Sequence, residues 1–203
     1  MFLSKLVIGN TRFKTLNIAI ILILGGNIDY KYGTSDNFSV PKQSCDLITV
    51  AQALHWFDLD LFFDEVNRAL KPKGRLAVFG YGMCSIDDPD LDTDLKSYYF
   101  DTLGSSKEPG EPGCFWQISR PLVDSGLESI EFPYKNVQRN WETTSEQTSL
   151  SDFIGYLSSF SAYEKLLENQ KDPLPALKRS LEEKGWKEKV NVKRPFFLII
   201  AEN

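Results

Sequence analysis

The sequence predicts an α/β fold with a mostly parallel sheet and an antiparallel C-terminal strand. Two patterns and the composition carry that prediction. Asp46-Leu47-Ile48-Thr49-Val50 is a short β-branched apolar run set off by Pro41-Lys42-Gln43-Ser44, as expected for a central strand buried on both faces. From Asp58 to Leu70 the residues Phe62, Phe63, Val66, Ala69 and Leu70 recur at helical spacing. Lys71-Pro72-Lys73-Gly74 then stops the helix, and Arg75 to Phe79 begins a second apolar strand. Strand, helix, turn and strand within about 35 residues make a right-handed βαβ unit, which requires parallel strands. A chain of 203 residues, 42% hydrophobic and 25% charged, suits one globular core and excludes collagen-like, coiled-coil and wholly disordered classes.

Ahead of that unit, Leu16 to Leu24 is an apolar stretch suited to a buried strand or short helix. It falls far short of the ~20 residues that cross a bilayer, so no membrane partner is expected. Arg12 and Lys14 before it and Gly25-Gly26 after it imitate a signal peptide, a pattern the cysteines discussed below speak against. In the Asp58 to Leu70 helix, Asp58 is the expected N-cap and Asp60 lies in the first turn. Beyond Gly80, Asp87, Asp88, Asp90, Asp92 and Asp94 crowd one stretch. An EF-hand loop counted from Asp88 would need glycine and a bidentate acid where Thr93 and Tyr99 stand, so a solvated acidic helix start or loop is expected, and no metal. Glu108 to Gly113 reads as loop, Leu127 to Phe132 as an antiparallel strand, and Ser149 to Leu167 as one amphipathic helix rich in aromatics. Val190 to Ala201 reads as the terminal strand.

Lysine and arginine total 23 against 28 aspartate and glutamate, a formal charge of -5, so a phosphate-tracking surface is absent and nucleic acid is not an expected partner. Cys45, Cys84 and Cys114 are widely spaced and odd in number, fitting neither a disulfide framework nor a zinc site. A cytoplasmic home follows as the expectation.

Ser44 to Asp58, with His55-Trp56-Phe57 after the strand, and the run Arg68-Ala69-Leu70-Lys71-Pro72-Lys73-Gly74 before the next one resemble a known family. They look like the fourth strand, following helix and fifth strand of a class I S-adenosylmethionine-dependent methyltransferase. The similarity is to the small-molecule branch that includes trans-aconitate methyltransferases. Pro133-Tyr134, Trp141, Gly155 to Tyr163 and Pro195-Phe196-Phe197 resemble the same branch, so the likeness covers residues 27–203, with 1–26 as a divergent N-terminal segment. The resemblance implies a partial Rossmann-like sheet, S-adenosylmethionine as cofactor and a small-molecule substrate.

The family also holds its cofactor with a glycine-rich loop after the first strand and an acidic residue after the second, and neither pattern occurs here. Three strand-plus-helix units need about 80 residues at the usual size of a βαβ unit. Only 45 residues precede Asp46, so the chain is expected to be N-terminally truncated or divergent, with impaired activity. The alternative is a non-catalytic pseudo-enzyme or fragment acting as an interaction module, self-associating through an exposed sheet edge.

By the resemblance, Ser35 and Asp36 meet the adenine at the end of the third strand, and Asp36 otherwise belongs to a surface turn. Ala51 and Gln52 stand where the fourth strand ends, the edge at which open parallel sheets bind ligands. His55, the single histidine, is the catalytic candidate in the loop over that edge, with packing against Trp56 as its other reading. Trp116, Arg120, Arg139 and Trp141 are candidates for lining a substrate pocket, the arginines suiting a carboxylic acid.

Overall fold

The computed structural model describes residues 5–9, 18–24, 27–186 and 188–202, with side chains from residue 33 onward. Four strands come first: β1 (Lys5–Gly9), β2 (Ile18–Leu24), β3 (Asn27–Gly33) and β4 (Cys45–Ala51). Helix α1 (Leu59–Ala69), strand β5 (Leu70–Tyr81), the two-residue strand β6 (Ser85–Ile86), helix α2 (Pro89–Ser97) and the short helix α3 (Arg120–Asp124) follow. Strand β7 (Asn136–Ser149), helices α4 (Leu150–Leu157), α5 (Ser161–Leu167) and α6 (Leu174–Glu183), and strand β8 (Lys189–Glu202) complete the chain. Gly25-Gly26, Arg12, Lys14 and Leu16 lie outside the described residues.

Two compact units form. A sheet unit takes residues 1–81, 126–142 and 196–203, and a helical unit takes 82–125 and 143–195. Strand order in the first is β3-β2-β1-β4-β5-β8. β1 with β4 and β4 with β5 are parallel, while β1 with β2, β2 with β3 and β5 with β8 are antiparallel. The sheet is therefore mixed, matching the expectation of a mostly parallel one only in part. Connection length explains it: a parallel return needs a crossover of about a dozen residues. Only residues 10–17 separate β1 from β2, and only 25–26 separate β2 from β3. Three strands do precede β4, without a described helix among them. The antiparallel C-terminal strand is as expected, in register from Arg75 opposite Glu202 to Tyr81 opposite Phe196.

β4 is central but not buried on both faces. Ile48, Val50, Leu76, Val78, Phe197, Ile199 and Ala201 alternate onto one buried face. Thr49, Ala51, Ala77, Leu198 and Ile200 on the other are half-buried, and Phe79 is 39% exposed. α1 lies against β5 with Phe62, Phe63, Val66 and Ala69 buried. Its N-cap is Asp58, whose carboxylate accepts the Leu61 N–H at 3.3 Å. Glu65 and Arg68 tie the chain before β4 to this helix. The Glu65 carboxylate accepts the Phe38 N–H at 2.8 Å and two Arg68 bonds, and Arg68 donates to the Val40 carbonyl at 2.8 Å.

Leu127 to Phe132 is turn and coil, not a strand. Leu127 has φ 61°, its carbonyl accepts the Ile130 N–H, and Arg139 donates to the carbonyls of Gly126, Leu127 and Ile130, so these groups have no need of a neighbouring strand.

In the helical unit, β6 pairs antiparallel with β8 at Ser85–Lys193 and Ile86–Val192. The aspartate cluster serves α2: Asp88 caps it through the Asp90 and Leu91 N–H groups, Asp92 accepts the Ile86 N–H at 2.8 Å, and Asp94 bonds Ser180 of α6 and Lys184, the residue that caps it. The single helix expected from Ser149 to Leu167 is broken between α4 and α5. There the Ser158 and Ser159 hydroxyls donate to the Gly155 and Tyr156 carbonyls, competing with the helical ladder. Helix α6, with Leu174, Leu177 and Leu181 buried, was not foreseen.

Candidate functional site

Parallel strands leave their carboxyl ends at one edge, and the sequence places its candidates there. Ala51 is the half-buried last residue of β4. Gln52 follows at φ 48°, the left-handed region that a glutamine adopts only when its surroundings fix it. Three bonds do so. Its N–H donates to the Phe79 carbonyl at 2.8 Å, its amide nitrogen donates to the Tyr81 carbonyl at 3.2 Å, and its amide oxygen accepts the Tyr81 N–H at 2.9 Å. Both ends of the side-chain amide thus grip the backbone of a single residue of β5, Tyr81. Gly80 is required beneath it, since a Cβ there would stand 2.1 Å from the Gln52 amide oxygen and 2.6 Å from the Phe197 ring.

His55 lies in a single 3₁₀ turn, Leu54 to Trp56, directly after β4. It is half-buried, its ring centroid 5.5 Å from that of Trp56. Leu54 is fully buried and Phe57 packs on Phe62 at 5.1 Å, so the loop is anchored on both sides of the histidine.

Ser35 and Asp36 occupy the tip of a tight turn closed by reciprocal bonds between Thr34 and Asn37 at 3.2 and 3.1 Å. Asp36 is exposed and Ser35 half-buried. Two antiparallel steps separate β3 from β1, so β3 runs with β4 and the turn reaches the same edge as Ala51 and Gln52. The strands between put it roughly 14 Å from the end of β4, at ~4.8 Å per strand.

The four pocket candidates divide. Arg139 is engaged with backbone carbonyls and lies over Phe132 at 5.3 Å, and Trp141 packs on Phe197 at 5.5 Å; both build the sheet unit. Trp116 and Arg120 belong to the helical unit, in a cluster with Tyr99 and Asp124 that the sequence did not foretell. The Arg120 guanidinium stands 4.7 Å from the Trp116 ring and 5.6 Å from the Tyr99 ring, and pairs with Asp124. Asp124 also accepts the Met83 N–H at 3.0 Å and the Tyr99 hydroxyl at 3.4 Å. Burial raises its carboxyl despite Arg120 beside it, and raises the Tyr99 phenol as well.

Charges elsewhere are structural. Burial alone would raise the Glu65 carboxyl, but the Arg68 bonds and the Phe38 N–H outweigh it and hold it below its usual range. Burial raises Cys45 and pushes Cys84 up to about 11, which favours the protonated thiol at both near neutral pH.

Comparison with known proteins now bears on this geometry. Residues 12–78 match the model of a methyltransferase domain family. A Dictyostelium discoideum protein named as a methyltransferase is 30% identical over 182 residues, covering 86% of this chain and 66% of its own. A solved structure from Anaeromyxobacter dehalogenans, named as a type II methyltransferase, superposes with a TM-score of 0.69 at 25% identity, over 86% of this chain and 71% of that one. The chain is similar to class I methyltransferases over most of its length and shares the fold of one. A Schizosaccharomyces pombe protein named as an uncharacterized methyltransferase adds 23% identity over 150 residues, 74% of this chain and 54% of its own. The chain thus spans less than two thirds of these two curated relatives. The placement of Ala51 and Gln52 at the carboxyl end of a parallel strand is the arrangement at which open α/β sheets bind their ligands. No described helix is long and apolar enough to cross a membrane. Among the described residues no group of three His, Cys, Asp or Glu could hold a metal ion.

Proposed function

We propose that this chain belongs to an S-adenosylmethionine-dependent methyltransferase of the cytoplasm acting on a small molecule, in the branch that resembles trans-aconitate methyltransferases. Its cofactor grip is weakened because the glycine-rich loop is absent. The observation that carries the reading is the carboxyl edge of β4, where Ala51 and the clamped Gln52 meet the loop bearing His55. The residues suit the cofactor in part: Ala51 is only half-buried, and the Ser35-Asp36 turn presents an exposed carboxylate, while the Gln52 amide is committed to β5. S-adenosylmethionine supplies an already electrophilic methyl group with a neutral leaving group, so the chain contributes alignment and little acid–base chemistry. Ala51 leaves space beside the strand end, Gln52 holds β4 and β5 at fixed separation, and His55 takes or orients an acceptor proton. A carboxylic acid is the acceptor class that arginine would suit.

The test is transfer of a labelled methyl group from millimolar S-adenosylmethionine to a panel of small carboxylic acids. Saturable transfer that falls at least tenfold in His55→Ala, with an unchanged melting temperature, supports both the reaction and the role. A lower melting temperature with normal transfer makes His55 a packing residue, and no transfer to any acid at millimolar cofactor contradicts the reading. The half-covered sheet face, with Phe79 39% and Phe196 37% exposed, favours a second reading as a non-catalytic interaction module that self-associates through its sheet. A monodisperse monomer by sedimentation at high concentration would contradict it.

A further inference from the structure

Among the described residues, the sheet unit has α1 as its one α-helix, and a helix about 10 to 12 Å wide can line only one face of a sheet. On the opposite face the register of β5 with β8 stacks four rows. They are Arg75 beside Glu202, Ala77 beside Ile200, Phe79 beside Leu198, and Tyr81 beside Phe196. Thr49 and Ala51 of β4 continue the second and third rows. None of these residues is buried, and Phe79 and Phe196 are exposed. Three rows are thus almost wholly apolar, and a contiguous apolar patch marks an interaction surface. The fourth is charged, an Arg75–Glu202 pair at 3.3 Å whose side chains are 60% and 39% exposed and so are free to reach outward.

This pattern is self-complementary. A two-fold axis running along the strands between β5 and β8 keeps every row at its own level, so like rows meet across the axis. Apolar rows then cover apolar rows, with small Ala77 level with branched Ile200 of the second copy. The two ion pairs merge into one row of four charges, each arginine beside a glutamate of the other copy. An axis across the strands would instead lay the charges on Tyr81 and Phe196, and desolvating charges against rings is costly. With β4 on one side and β7 on the other, the overlap is four strands by seven residues. At the usual strand spacing and rise that is about 19 by 23 Å, so two such faces bury roughly 900 Å². An area of this size belongs to the weak end of specific interfaces and suits a reversible dimer.

We propose that the chain forms a two-fold dimer by laying this sheet face on the same face of a second copy. The proposal rests on the self-association reading and names its surface and orientation, and the experiment separates the two. Sedimentation equilibrium of the whole chain, from micromolar to millimolar concentration, is expected to show a reversible monomer–dimer equilibrium. Phe79→Glu should weaken it at least tenfold while the circular dichroism spectrum stays unchanged. Arg75→Glu and Glu202→Arg each fill the charged row with four like charges and should each weaken the dimer at least threefold. Each also breaks the pair within one chain, so an effect confined to that chain would persist when the two variants are mixed. The equimolar mixture should instead recover the wild-type dimer constant within twofold, because every arginine again lies beside a glutamate of the other copy. That recovery remains decisive if Phe79→Glu fails to fold. A monomer at every concentration overturns the self-association reading and the proposal together. A dimer unchanged in both charge variants, or no recovery on mixing, overturns the proposal alone.

Discussion

At the carboxyl end of β4, both ends of the Gln52 amide are bonded to the Tyr81 backbone, while in the helical unit Arg120 Nε and Trp116 Nε1 are buried with no partner among the described residues. Both regions hold residues that sequence reasoning would place in a binding site. The first has turned its polar groups inward to hold two strands; the second keeps donors that no described residue accepts. A side chain's position at a ligand edge therefore says less about binding than whether its hydrogen bonds are already made. Gln52 reads as the scaffold of the edge, and Trp116 Nε1 and Arg120 Nε as buried donors that no described residue accepts.

The comparison breaks most directly at Gly80. Gly80→Val should cost about 3 kcal/mol or more in chemical denaturation, since any Cβ meets the Gln52 amide and the Phe197 ring. Little change would mean that the clamp is loose. Gln52→Ala should come next, at about 2 kcal/mol, by stranding the Tyr81 N–H and carbonyl. Gln52→Gly should recover a fraction of this by relieving the backbone at φ 48°. Acid sharpens the contrast with a smaller effect. Because the folded Glu65 carboxyl is held below its usual range, it contributes stability that is present at neutral pH and lost as pH falls through about 4 and below. Glu65→Gln should therefore flatten the acid limb of a denaturant-midpoint titration, and an unchanged slope would remove the clamp from Phe38 to α1 as its cause.

The α/β class, β4, α1 with its Asp58 cap, the Lys71 to Gly74 stop and β8 were legible because each is local, set by periodicity, capping or turn chemistry. The mixed sheet was not, since apolar runs reveal strands but not their direction. The break after Leu157 was hidden because its serines look like ordinary polar-face residues until their hydroxyls are seen on the carbonyls. At the site, Ala51, Gln52 and the Ser35-Asp36 turn reached the expected edge. The cluster of Tyr99, Trp116, Arg120 and Asp124 was only half visible, in Trp116 and Arg120. Its members come from separate segments, and no spacing rule joins Tyr99 to Arg120; the one local hint is Arg120 four residues before Asp124, a helical pair.

The carboxyl edge of β4, proposed above as the place of S-adenosylmethionine, is well held by its own bonds yet offers few free groups to a ligand. Calorimetric titration of the whole chain with S-adenosylmethionine tests it most directly. The account predicts a dissociation constant in the millimolar range or weaker, about 4 kcal/mol or less of binding free energy. Micromolar binding would contradict it.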